Sequence, residues 1–235
     1  MATPNQRRKA SVAERVYEAL KEDIFEFRLI PGDKFSEGDV GTRLNASRTP
    51  VREALYRLQR EGHVEVLFRS GWKVKPLDFQ QMEELYELRI TLEREAVHKI
   101  CGLTEEPETL RALALLWNPD QPSGRASGSA VRALDESFHC ELMIAAGNRE
   151  MVRVHREITD RLRIVRRLDF TRDNRVEATY EEHAAILEAL HQGLAHDAAE
   201  RLTRHIRTSQ KAVREITMER IKEAAQAHRS DSQSA

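Results

Sequence analysis

The chain has 235 residues, enough for one large or two small domains, and its 40% apolar share can fill a core. No apolar run is long enough for a membrane span and the start lacks the apolar stretch of a secretory leader. The two cysteines, Cys101 and Cys140, make no disulfide framework, so a reducing cytoplasm is expected.

The net charge of −1 hides an asymmetry: residues 1–76 hold 15 Lys and Arg against 11 Asp and Glu, while 77–235 hold 23 against 28. A basic head on an acidic remainder predicts a DNA-binding domain over 1–76 and a second domain over 77–235. Few Gly and Pro, with Ala, Leu, Glu and Arg prominent, predict a mostly α protein.

Residues 1–10 are polar and basic. Ser11 is placed to cap a first helix whose stripe is Ala13, Val16, Tyr17, Leu20 and Ile24, ending before Pro31-Gly32-Asp33. A short helix follows over Glu37–Leu44. Ser47 or Thr49 can cap a third, in which Pro50 sits in the first turn, where its missing N–H costs nothing. Val51, Ala54, Leu55 and Leu58 line one face of this helix, while Arg48, Arg52, Tyr56 and Arg60 lie off it. A buried face to hold the helix and a basic face to present it are what a recognition helix needs.

After Gly62 the pattern alternates. Val64, Val66 and Phe68 are expected on one face, Arg69-Ser70-Gly71 in a tight turn, and Trp72 and Val74 on the returning strand. Three helices and a hairpin make a winged helix-turn-helix, with Arg69 at the tip within reach of a phosphate or the minor groove.

From Asp78, a capping candidate, the chain reads as an all-helical antiparallel bundle. Helices are expected over 78–101, 105–116, 130–146, 149–170, 175–192 and 194–224, with 118–129 a loop, Gly147 and Gly193 as stops, and a frayed tail after His228. The stripes of three of these helices carry polar residues. Asp135 and His139 share a face with Val131, Leu134, Phe138 and Leu142; His183 lies with Tyr180, Leu187 and Leu190; His205 lies with Leu202, Ile206 and Val213. One inward histidine is usually a satisfied core residue. A buried carboxylate and three imidazoles together are all satisfied by one divalent cation, and three nitrogens with one oxygen suit a Zn, Ni or Mn type of ion with positions open to ligand. Arg89 and Glu93 are also inward. A structural ion pair explains them, but an arginine beside a metal also suits a carboxylate ligand. His155 lies near a stripe without an evident partner and is read as core.

The stretch Phe35–Val64, F-S-E-G-D-V-G-T-R-L-N-A-S-R-T-P-V-R-E-A-L-Y-R-L-Q-R-E-G-H-V, resembles GntR-type winged-helix transcriptional regulators. The second domain is similar to the helical effector domain of the FadR-like branch, often called FCD. Its metal-binding subset carries an Asp-x-x-x-His pair and two further histidines, here Asp135, His139, His183 and His205. The resemblance implies DNA contacts at Arg48, Thr49 and Arg52, a wing turn at Gly71, an effector-facing Arg89, and a homodimer on a two-fold operator. The effector would be a small organic acid or sugar acid, and no catalytic role is implied. One departure is Gly38, where the family usually has Arg. The competing reading is a helical metalloenzyme: Glu95/His98 and Glu136/His139 have the Glu-x-x-His spacing of di-iron bundles, and His196-Asp197 occurs in helical phosphohydrolases.

Overall fold

The computed structural model describes residues 11–68, 71–118, 128–166, 169 and 173–233. The chain divides into two compact units: one takes the chain up to Leu77 together with the stretch from Glu219 onward, the other is Asp78–Met218.

In the first unit, Ser11 caps α1 (Val12–Phe25), accepting from the Glu14 amide. Ser36 and Asp39 form a reciprocal capping box on α2 (Glu37–Leu44), which ends at Asn45 in the left-handed region. The next helix, α3 (Arg48–Arg60), has Ser47 at its N-cap position, without a side-chain hydrogen bond. Val51, Ala54, Leu55 and Leu58 are buried with Val16, Tyr17, Leu20 and Ile24 of α1, so the apolar stripe of α3 does hold the helix in place.

The hairpin forms from β2 (Val64–Leu67) and β3 (Gly71–Val74). A third strand, β1 (Lys34–Phe35), adds to β3, giving the order β1-β3-β2. Gly71 has φ +88, and a Cβ there would lie 2.6 Å from the Phe35 carbonyl oxygen. Only glycine allows both that conformation and that approach. The expected inward face of β2 is corrected: Val64 is buried, but Val66 is 49% and Phe68 84% exposed. β2 is an edge strand and Phe68 lies in the turn past its end; cover is spent on the central strand, where Trp72 is buried with Tyr56 edge-on to its ring at 5.5 Å. Arg69 lies outside the described residues.

The second unit is helical among its described residues: α4 (Phe79–Cys101), α5 (Glu108–Leu116), α6 (Gly128–Ala145), α7 (Arg149–Arg166), α8 (Asp173–His191) and α9 (Ala195–Gln233), which runs on past Met218. Asp78 caps α4 through the Gln81 amide. Helix α5 starts three residues later than expected, because Pro107 disfavours helical backbone at the residue before it. Helix α6 begins inside the expected loop, the rest of which, 119–127, lies outside the described residues. The frayed tail is likewise corrected: α9 continues to Gln233, with no Gly or Pro after Gly193 to stop it. Gly147 and Gly193, both with positive φ, close α6 and α8. Trp117, Phe138, Leu142, Leu162, Tyr180, Ile186, Leu202 and Ile206 fill one contiguous core. No helix among the described residues is long and apolar enough to cross a membrane.

Candidate metal centre and nucleic-acid interface

The helical periodicity that placed Asp135, His139, His183 and His205 on inward stripes brings them to one point. All four are buried, and their ligand atoms lie within 4.8 Å of one another. His205 Nε2 is 3.2 Å from His139 Nε2 and 3.3 Å from His183 Nε2. Asp135 Oδ1 is 3.6, 3.3 and 3.5 Å from the Nε2 atoms of His139, His183 and His205. Tetrahedral donors about 2.0–2.1 Å from an ion are separated by roughly 3.3–3.4 Å, and these five separations, 3.2–3.6 Å, lie near that value.

The far side of each ring explains its orientation. Glu93 Oε2 accepts from His139 Nδ1 at 2.6 Å, and Glu182 Oε2 accepts from His205 Nδ1 at 2.6 Å. With the protons on Nδ1, both Nε2 atoms turn lone pairs inward. His183 is held by shape: Phe138 stacks on it at 3.7 Å with an interplanar angle of 8°, and Trp117 meets it edge-on at 4.2 Å. The remaining oxygen of Asp135 accepts from Arg166 Nη2 at 2.5 Å.

The electrostatics follow. Burial would raise the Asp135 carboxyl, but the three imidazoles and Arg166 hold it well below the usual range. Burial holds His183 well below the ordinary imidazole value, against Asp135, and lowers His139 against the pull of Glu93. Burial opposes the charged form of His205 too, yet Asp135 and Glu182 raise it.

Arg89 is 1% exposed and donates from Nε to Glu93 Oε1 at 2.7 Å. Its Nη2 has no hydrogen-bond partner among the described residues. Glu93 also accepts from His155 Nε2 at 2.9 Å, so one fully buried carboxylate serves an arginine and two histidines. Burial would raise Glu93, and His139 and Arg89 hold it well below its normal value.

Four members of this network were not recognised from sequence in their roles. The partner of His155, read as core, is Glu93. Arg166 follows His155 and Thr159 along one face of α7, a periodicity that was open to reading. Glu182 is adjacent to His183, off its inward stripe, and Arg175, which donates to Glu182 at 2.8 Å, gave no signal. The di-iron pairs do not assemble: Glu95 and His98 are exposed, and Glu136 turns to Arg163.

On the first unit, Arg48 and Thr49 are exposed on the first turn of α3, with Arg52 one turn on. Arg57 is withdrawn: its guanidinium stacks on the Tyr17 ring at 3.6 Å and pairs with Glu14 at 2.9 Å. Arg43 pairs with Asp23 at 2.5 Å. Of the five arginines from Arg43 to Arg60, Arg48 and Arg60 have no ion-pair partner among the described residues, and Arg52 is joined to Glu37 at 2.8 Å.

A winged helix-turn-helix with an outward arginine face, and a helical unit holding a buried Asp-His cluster, define a class of DNA-binding regulator. Residues 12–74 match the gntR family of bacterial regulatory proteins, and 84–208 match the FCD domain. The chain belongs to the GntR-type regulators with an FCD domain, and is a DNA-binding transcriptional regulator of that type. It is similar to the Nta operon transcriptional regulator of Aminobacter aminovorans, 34% identical over 140 residues, which are 60% of this chain and 66% of that protein. It is similar to the transcriptional repressor RspR of Escherichia coli, 26% identical over 88% of this chain and 91% of that one. Among solved structures, Escherichia coli McbR/YncC shares the fold with a TM-score of 0.60 at 19% identity, covering 88% of this chain and 99% of that one. A GntR-type regulator from Rhodococcus sp. RHA1 has a TM-score of 0.58 at 22% identity, covering 86% and 96%.

Proposed function

We propose that this regulator senses a small organic acid or sugar acid at a divalent metal ion held by Asp135, His139, His183 and His205, and transmits binding to its DNA-reading head. The observation that carries the reading is two imidazole Nε2 atoms facing each other at 3.2 Å while each Nδ1 is engaged by a carboxylate. Two inward lone pairs at that distance repel; a shared cation relieves this, as would a second proton on His205, which Asp135 and Glu182 favour. An ion of Zn, Ni or Mn type would supply a Lewis-acid point for a carboxylate oxygen. Arg89 is the second anchor, since its unpaired Nη2 is a charged donor that its buried surroundings leave unsatisfied.

For the head, Arg48, Thr49 and Arg52 are assigned to the major groove and the wing beyond Leu67, with Arg69 and the turn at Gly71, to the backbone or minor groove. A homodimer on a two-fold operator, working in the cytoplasm, completes the reading. Domains divide near Pro76, with the effector-binding and dimerising part after it.

The test is operator affinity measured for the metal-loaded protein against a panel of organic and sugar acids. A shift with one ligand class, absent in the Arg89→Ala variant, supports the reading. Affinity unchanged by every acid would leave the ion a structural part and end the effector assignment. The metal assignment is checked separately by elemental analysis of the Asp135→Ala, His183→Ala double variant, where undiminished metal content overturns it.

A further inference from the structure

We propose that Glu37 is a positioning residue for base reading: it clamps Arg52 by Nε, so that the outer edge of the guanidinium is presented to a guanine. This rests on α3 being the DNA-reading helix. Arg52 Nε donates to both carboxylate oxygens of Glu37, at 2.9 and 2.8 Å. Neither terminal nitrogen of Arg52 has a hydrogen bond among the described residues, and its side chain is 57% exposed against 22% for Glu37. The clamp therefore takes the side of the planar fork and leaves its end free. That end carries the two parallel N–H groups that match guanine O6 and N7.

Placement supports the role. Glu37 is the first residue of α2, whose capping box is made by Ser36 and Asp39 and does not use it. An exposed ion pair adds little to folding. A carboxylate on a face that meets phosphates also weakens non-specific attraction, so keeping one there favours discrimination over affinity. An unclamped arginine would swing to whichever phosphate is nearest. With Glu37 in place, the guanidinium is ordered before DNA arrives, which lowers the entropy lost on binding the right base. Gly38 brings no side chain that would compete for this guanidinium.

Full-length wild type, Glu37→Ala, Glu37→Gln and Arg52→Ala are each equilibrated with a randomised DNA duplex pool, and bound sequences are counted. The wild type should select a guanine at a fixed position of each half-site, and Arg52→Ala should lose it. Glu37→Ala should lose about 10-fold of preference at that position while keeping the others. On one duplex of fixed unrelated sequence it should bind more tightly, with the salt slope steeper by about 0.9 as Arg52 gains a phosphate. Glu37→Gln, whose amide oxygen still accepts from Nε, should fall between. Full guanine preference in Glu37→Ala overturns the clamp, as does an equal loss at every position, which would mark a merely structural role. Guanine preference that survives Arg52→Ala, or a wild type that selects no sequence, defeats the assignment of α3 itself and is told apart by that variant.

Discussion

His139 and His205 meet Nε2 to Nε2 at 3.2 Å, both rings buried, each backed by its own glutamate. On the proposed reading, the core of the helical unit depends on an ion between the rings. Adding zinc to chelator-treated protein should therefore stabilise it. At a free concentration 100 times the dissociation constant the gain is about 2.7 kcal/mol. Calorimetric melting with and without zinc reads this directly, and an unmoved transition would rule zinc out.

The carboxylates behind the rings should matter nearly as much as the ligands. Glu182→Ala is expected to weaken metal binding about 10- to 100-fold, through loss of the acceptor that orients His205. Competition with a chromophoric chelator measures it. Glu93→Gln carries an added penalty of about 3–5 kcal/mol in stability, because it strips Arg89 of its buried counter-charge. Urea unfolding of the two variants should separate these effects, with Glu93→Gln alone shifting the metal-free midpoint strongly.

Phe138 lies flat on His183, the imidazole of the cluster without a hydrogen-bonded Nδ1 among the described residues. Phe138→Leu keeps the site apolar but removes the flat surface that fixes the ring. Metal affinity should fall while the Asp135, His139 and His205 donors stay in place. Calorimetric titration with zinc would show the loss, and an unaltered constant would mean that Trp117 alone suffices.

Arg57 should behave unlike Arg52. It lies over Tyr17 and pairs with Glu14, so Arg57→Ala should cost the head about 0.5–1 kcal/mol and leave base preference intact. Chemical denaturation and the randomised-pool selection together decide. A changed base preference would return Arg57 to the reading face.

The same corner of the head gives a pH dependence. Burial raises the Glu61 carboxyl, but bonds from Lys21 and Tyr17 bring it below its ordinary value. A carboxylate lowered by folding contributes stability above its unfolded value, near 4.5, and loses it as pH falls through the lower folded value. The head should thus weaken on acidification below about pH 4.5. In Glu61→Gln this part of the slope should disappear in pH-resolved melting, and a slope equal to wild type would assign it elsewhere.

What was legible in the sequence was whatever a helix repeats. Val51, Leu55 and Leu58 announce a held face, and Asp135 with His139 announces two donors over one turn. Partnerships across helices were not legible. Arg57 belongs with Tyr17, and His205 with Glu182, because packing sets those distances and no local spacing encodes them. Glu93 was readable as one half of an ion pair with Arg89, yet its service to His139 and His155 depends on how α4, α6 and α7 approach. Strand β1 is two residues long, too short to show alternation, and exists because β3 offers it an edge. Val66 and Phe68 alternate correctly, but Val66 lies on an edge strand and Phe68 in the turn just past its end, where alternation no longer implies burial.

The cluster also ties together parts of the chain that are far apart in sequence. His139 and His205 are 66 positions apart, and α6, α8 and α9 each contribute to the same point. Loaded with an ion, the site would be a reversible staple closing that span, and in the chain-entropy picture longer closed spans restrain the unfolded chain more. Helices α8 and α9 could then not peel away singly. Their amides should exchange with solvent together with those of α6, as one block whose opening rate is set by release of the ion.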